Sequence, residues 1–195
     1  MFYFILIVLI VANDRIVVYW LGIEISLIVF LPFLLNNKFG FELRIKYFLV
    51  QTIRSFILMI IFIFRFKVIY LFFFILLLKI GAVPFYSWVI YITVKIDWNT
   101  IFFFLSLLKI IPYLLIGQIY FNSESMSLFI LANSLVGGLG GLGCLCIRKL
   151  IVFSSLGHTG WVLSSIYRID YLWIEYFLIY ILVFSNLVYI FFFLK

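Results

Sequence analysis

The sequence predicts an all-α, polytopic transmembrane helix bundle, a single domain over residues 1–195 with about seven or eight crossings and one discontinuous helix near Pro84. Three observations predict it. Hydrophobic residues make up 68% of the 195 and charged residues only 11%, against roughly 25% charged in a soluble domain, so there are too few polar groups to cover a water-facing surface. The apolar residues come in long runs, several near the roughly twenty residues that cross a hydrocarbon core about 30 Å thick. Most charges gather in the short breaks between runs. This composition excludes a soluble enzyme, a secreted disulfide scaffold and a disordered chain.

Each run can be justified in order. Phe2 to Ala12 is apolar but reaches only about half the core at 1.5 Å per residue, and Asn13-Asp14-Arg15 closes it. Ile16 to Leu35 is a full span, followed by a polar loop from Asn36 to Lys46. Tyr47 to Phe64 is a span closed by Arg65-Phe66-Lys67. Val68 to Val94 reads as one crossing interrupted at Gly81-Ala82-Val83-Pro84, because proline removes a donor and breaks the helix. A loop from Lys95 to Asn99 leads to the span Thr100 to Tyr120, with Pro112 in its second half. Met126 to Ile147 is a glycine-rich span, Arg148-Lys149 a tight turn, Leu150 to Ile166 a span, and Tyr171 to Leu194 the last.

The net charge of +7 is spread singly between apolar runs, which suits topology-setting loops rather than nucleic-acid binding. With eight crossings, Lys38, Arg44, Lys46, Lys95, Arg148, Lys149 and Lys195 share one side. Arg15, Arg65, Lys67 and Arg168 take the other, with Asp14, Glu124, Asp170 and Glu175. The richer side is expected inside, with both termini. Cys144 and Cys146 are two residues apart, which does not bring them together on a helix, so they are expected to pack in an apolar span rather than form a disulfide or metal pair. No cleavable signal is expected at the N-terminus, and the Phe, Tyr, Ile and Leu usage suits an AT-rich organelle genome.

Four charges fall inside apolar runs, where ionisable groups cost at least about 2.5–3.5 kcal/mol and face a bundle interior or a hydrated path. Glu24 lies nine residues past Arg15 and twelve before Asn36, too deep for its short side chain to reach water. Lys79 stands five residues before Pro84, where freed carbonyls and water can solvate it. Lys109 is central in its run, ten residues past Asn99, and Arg54, eight past Lys46, lies closer to an end. One acid and two amines on separate spans suggest a proton relay. Desolvation disfavours a charged amine and a nearby carboxylate favours it, so moving Glu24 against Lys79 would control a proton that Lys109 could take through water. His158, beside Ser154, Ser155 and Thr159, reads on its own as a hydrogen-bonded structural group.

Four ordered blocks carry a resemblance. Trp20-Leu21-Gly22-Ile23-Glu24-Ile25, Lys46-Tyr47-Phe48-Leu49-Val50-Gln51, Lys79-Ile80-Gly81-Ala82-Val83-Pro84-Phe85-Tyr86-Ser87-Trp88, and Gly137 to Gly143 followed by Arg148 to Trp161 span nearly the whole chain. Together they resemble the subunit 2 family of mitochondrial NADH:ubiquinone oxidoreductase (complex I), one of its antiporter-like membrane subunits. The resemblance implies a proton-translocating subunit of that reductase in the mitochondrial inner membrane, partnered by other membrane-arm subunits and lipid. It implies no redox cofactor in this chain. Glu24 and Lys79 match the translocating pair, Lys109 the central lysine, and His158 a place on a hydrated relay axis.

The departures are Tyr86 where the family usually has His, the absence of a Pro-Glu stretch after Trp88, and Arg54 at a place usually small or polar. Residues of about 1–121 match the first five-helix repeat and about 125–195 only the start of the second. Either a separate polypeptide supplies the remaining helices, which is the favoured expectation, or the subunit is a reduced one that cannot complete a proton path alone. Two alternatives stand beside the translocating subunit: a structural or assembly subunit whose buried charges only pair helices, and a free-standing cation/proton antiporter, which an incomplete inverted repeat disfavours. The glycines from Gly137 to Gly143 lack the Gly-Lys-Ser/Thr of a phosphate loop. Gly137 and Gly141, four apart, suit close helix packing.

Overall fold

The computed structural model describes residues 7, 8, 10, 16–34, 40–63, 69–118, 123–168 and 172–193. Every regular element among them is helical. In chain order they are α1 (Ile16–Phe30), extended by a 3₁₀ turn (Leu31–Leu34), α2 (Gly40–Ile63), α3 (Ile69–Ile80) and α4 (Ser87–Lys95). Next, α5 (Trp98–Phe102) runs through a π-helical stretch (Phe103–Leu107) into α6 (Leu108–Gln118). The last three are α7 (Ser123–Leu142), α8 (Ile147–Tyr167) and α9 (Leu172–Phe193). By length and apolarity, Val17–Leu34, Trp98–Gln118 and Leu172–Phe193 are each sufficient to cross a membrane, and the shorter stretches Leu71–Ile80 and Met126–Leu142 are also apolar. Phe2 to Ala12, on which the eight-crossing count depends, falls largely outside the described residues, as do both termini.

The bundle is organised around α6, which packs against α1, α3 and α8. α2 covers α1 and α3, α4 lies on α8, and α9 closes over α5 and α8. At its C-terminal end α6 is tied to α1 by a short hydrogen bond from Gln118 to the Tyr19 hydroxyl. An aromatic core of Phe30, Tyr47, Trp88 and Phe104 joins α1, α2, α4 and the π-helical stretch, with neighbouring ring centroids 5.1–6.5 Å apart. Large apolar side chains on the outer faces of α2, α7 and α9 are exposed, as lipid-facing positions should be.

α7 and α8 form the closest helix pair. A Cβ on Gly137 would lie 2.5 Å from the Gly157 nitrogen, and one on Gly140 would lie 2.3 Å from the Phe153 ring. The close approach therefore uses Gly137 and Gly140, whereas Gly141 meets its nearest neighbours only at 3.9 Å. The expected turn at Arg148-Lys149 is displaced. The chain leaves α7 at Leu142 and re-enters helix at Ile147, so Gly143 to Cys146 make the turn and both basic residues sit in the first turn of α8. Helix-poor glycine ends α7 before the charges are reached. Consequently Cys144 and Cys146 lie in the connection, with Cys146 exposed, and not in an apolar span.

Lys46, Lys95 and Arg148 gather with Glu42 and Tyr91 on a polar rim of the bundle. Lys46 pairs with Glu42 at 2.5 Å, and both bond the Tyr91 hydroxyl, which also receives a hydrogen bond from Lys95 at 2.7 Å. Arg148 donates to the Val94 carbonyl and lies over the Trp98 ring. On this polar rim the hydrogen bonds from Lys46 and then Tyr91, with the positive charge of Lys46 and Lys95, hold the Glu42 carboxyl below its ordinary range.

Candidate functional site

The site begins at the interrupted helix. α3 stops at Ile80, and Gly81 takes φ +76, the left-handed conformation that side chains other than glycine's disfavour. A Cβ there would also meet Val89 Cγ2 at 2.2 Å. The Gly81 and Ala82 amides both return to the Leu77 carbonyl, while the later carbonyls of α3 lack helical donors, as at any helix C-terminus. Asn133, fully buried on α7, clamps the break: its Oδ1 accepts the Val83 amide at 3.0 Å and the Thr159 hydroxyl at 3.4 Å, and its Nδ2 donates to the Phe129 carbonyl at 2.7 Å. Lys79 sits in the last turn before this break and is only 8% exposed. Tyr86, at the re-entry into α4, packs against the Phe153 ring.

Lys109 is prepared by a second irregularity. The π-helical stretch Phe103–Leu107 precedes it, stabilised by a short hydrogen bond from the Ser106 hydroxyl to the Phe102 carbonyl. Pro112 follows, with no amide to offer the Leu108 carbonyl. Lys109, 6% exposed, donates to the buried Ser155 hydroxyl of α8 at 3.5 Å.

Between the two lysines lies a cavity of about 40 Å³, lined by both of them together with Ser26, Gln51, Tyr47 and Trp88. Such a volume has room for about three waters, and Lys79, Lys109, Ser26, Gln51 and Tyr47 are the polar groups in its otherwise mainly apolar wall. Elements as distant in sequence as α1 and α6 meet on it.

Glu24 is half-buried on α1, one turn from Trp20, whose Nε1 donates to the Ser55 carbonyl of α2 at 3.2 Å. Its Oε1 is buried without a hydrogen-bond donor, and it lies within electrostatic reach of Lys79. Among the described residues Glu24 makes no ion pair; the pairs present are those of Glu42. Arg54, on α2, is also within electrostatic reach of Lys79 and stacks over the Trp88 ring.

On the other side of Lys109, the part-buried His158 ring lies within its electrostatic reach. His158 Nδ1 and the Tyr176 hydroxyl of α9 are hydrogen-bonded at 2.6 Å, and the Tyr180 ring lies 4.6 Å away centroid to centroid. The sequence-derived residues thus fall in two groups joined through Lys109. Lys79 and Lys109 share the cavity, Glu24 reaches it only through Lys79, and His158 lies on the side of Lys109 towards α9.

Sequence reasoning passed over Asn133 and Tyr176 and gave Gln51 and Ser155 no role of their own. Asn133 had a signal, an amide deep within the run from Met126 to Leu142. Gln51 was seen only as part of a motif block, and nothing local marks Tyr176 among thirteen tyrosines. Among the described residues no group of His, Cys, Asp and Glu could hold a metal ion.

Residues 62–194 match the family model described as NADH:quinone oxidoreductase/Mrp antiporter, transmembrane. Among curated proteins, NADH-ubiquinone oxidoreductase chain 2 of Anopheles gambiae is 34% identical over 187 residues, covering 88% of this chain and 54% of the relative. The chain 2 protein of Aedes aegypti is 36% identical over 189 residues, covering 86% and 55%. That of Branchiostoma lanceolatum is 27% identical over 197 residues, covering 90% and 56%. The chain spans about half the length of the curated relatives it matches.

Proposed function

This chain belongs to the NADH:quinone oxidoreductase/Mrp antiporter membrane family, and from that membership we propose that it is a proton-translocating membrane-arm subunit of respiratory complex I. It couples electron transfer from NADH to ubiquinone, carried out elsewhere in the complex, to proton movement through Glu24, Lys79 and Lys109. The observation that supports this reading is the shared cavity: two buried lysines from different helices line one chamber, with Ser26 and Gln51 among its other walls.

The mechanism follows from charge and solvation. A carboxylate close to Lys79 favours its ammonium form, and withdrawal of that carboxylate releases the proton because burial leaves the ammonium poorly solvated. The released proton crosses the cavity through water to Lys109, which hands it on towards Ser155 and His158. Neither lysine needs a cofactor for this, since only a proton moves. The polar rim bearing Lys46, Lys95 and Arg148 faces the mitochondrial matrix, the side to which positive loops are retained. α1 to α6 correspond to a first repeat and α7 to α9 belong to a second, and other membrane-arm subunits of the complex pack against them.

The test is Lys79→Met and Lys109→Met in the assembled complex in coupled inner-membrane vesicles. Each is expected to lower the number of protons moved per electron pair, with the complex still assembled on native gels. Normal stoichiometry in both variants would leave only a structural or assembly role for the chain.

A further inference from the structure

Arg54 takes no part in the relay just described, yet its charge is placed against it. Its Cζ lies 4.5 Å from the centre of the Trp88 ring, and its Nη1 is buried with no acceptor. Glu24 Oε1, on the neighbouring helix, is buried with no donor. The two helices are held in register at this point by the hydrogen bond from Trp20 to the Ser55 carbonyl. Trp20 is one turn before Glu24 and Ser55 is next to Arg54, so the stranded acceptor and the stranded donor occupy neighbouring levels of one helix pair. Both charges act on Lys79. Arg54 itself senses Tyr47 of its own helix and the Trp88 indole of α4, and it meets Glu24 only through Lys79 of α3, on which both charges act.

A buried carboxylate oxygen and a buried guanidinium nitrogen that each lack a partner are costly separately and relieve each other when joined. The Trp88 face holds the guanidinium by cation–π attraction and leaves its edge N–H groups free to donate. We propose that Arg54 is a positioning residue that competes with Lys79 for the Glu24 carboxylate. When Glu24 turns to Arg54, a charge-assisted hydrogen bond closes between Oε1 and Nη1 and Lys79 loses its counter-charge. When Glu24 turns back, Lys79 regains it. The guanidinium keeps its own protons throughout, so the proton that moves is the one on Lys79. This device rests on the reading of Glu24 and Lys79 as the translocating pair.

The experiment compares Arg54→Met, Arg54→Lys, Glu24→Gln and the double variant Arg54→Met with Glu24→Gln, in the assembled complex in coupled vesicles, reading proton and electron flux together. Arg54→Met is expected to slow proton transfer roughly five-fold, the size of a moderate coupling between neighbours, at unchanged electron-transfer capacity. Arg54→Lys, which keeps the charge, restores most of the loss. The double variant is no slower than Glu24→Gln alone. If Glu24→Gln is impaired but the two losses multiply, or if Arg54→Met is normal, the competition is overturned and Arg54 serves only its stack on Trp88. If Glu24→Gln itself translocates normally, the underlying reading of the pair falls and this proposal with it. Where Arg54→Met fails to assemble, adding Glu24→Gln is expected to restore assembly, because it removes the stranded partner; continued failure overturns the proposal.

Discussion

A lysine amine inside a membrane bundle needs oxygen nearby, and Lys79 and Lys109 both sit where helical hydrogen bonding is interrupted. Lys79 precedes the glycine break, and Lys109 lies between a π-helical stretch and Pro112. The break is held open by one side chain, because Asn133 accepts the Val83 amide. Asn133→Leu leaves that amide without an acceptor and is expected to destabilise the subunit by about 1–3 kcal/mol. The check is thermal denaturation of the purified complex, in which an unchanged melting temperature would deny Asn133 the clamp. Glu24, Lys79 and Lys109 were legible in the sequence because a charge in an apolar run is conspicuous. Asn133 was less so, since a single amide in a span costs little enough to pass as a packing residue.

At the scale of the element, the α7/α8 pair depends on which glycines face the contact. Gly137 abuts the Gly157 backbone, while a Cβ on Gly138 would meet nothing within 4 Å. Gly137→Leu is therefore expected to force the helices apart, at about 1–3 kcal/mol or more for overpacking. Gly138→Ala is expected to be neutral or to stabilise by about 0.5–1 kcal/mol through helix propensity. Melting temperatures of the two variants test this contrast, and similar behaviour at both positions would contradict the packing. Spacing alone favoured Gly137 with Gly141. The observed face runs through Gly137 and Gly140, because three and four residues are both neighbourly steps on a helix and only the partner's position chooses between them. The turn after α7 was misplaced for a related reason: charges mark water, but glycine ended the helix first.

Across the whole molecule, the cavity is the feature that belongs to no single helix. Ser26 contributes from α1, Gln51 from α2, Lys79 from α3, Trp88 from α4 and Lys109 from α6. Ser26, whose hydroxyl donates to the Ile23 carbonyl, can be replaced by valine to add apolar bulk without a new charge. Ser26→Val is expected to slow proton transfer by on the order of tenfold, equivalent to about 1.4 kcal/mol in the barrier, while electron transfer continues. Proton flux into coupled vesicles gives the readout, and undiminished flux would place the path outside this chamber.

Apolar runs, their polar interruptions and the break at Pro84 were enough to dictate a helical membrane bundle and to pick out its expensive charges, because hydrocarbon penalises unpaired backbone and isolated charge wherever they fall in the fold. Only the packing of helices around α6 decided that Lys79 and Lys109 share a chamber, that Asn133 reaches the break, and that His158 meets Tyr176. Those contacts join residues 18 to 50 positions apart. Periodicity places a side chain on a face of its own helix, and it carries no information about which other helix that face will meet.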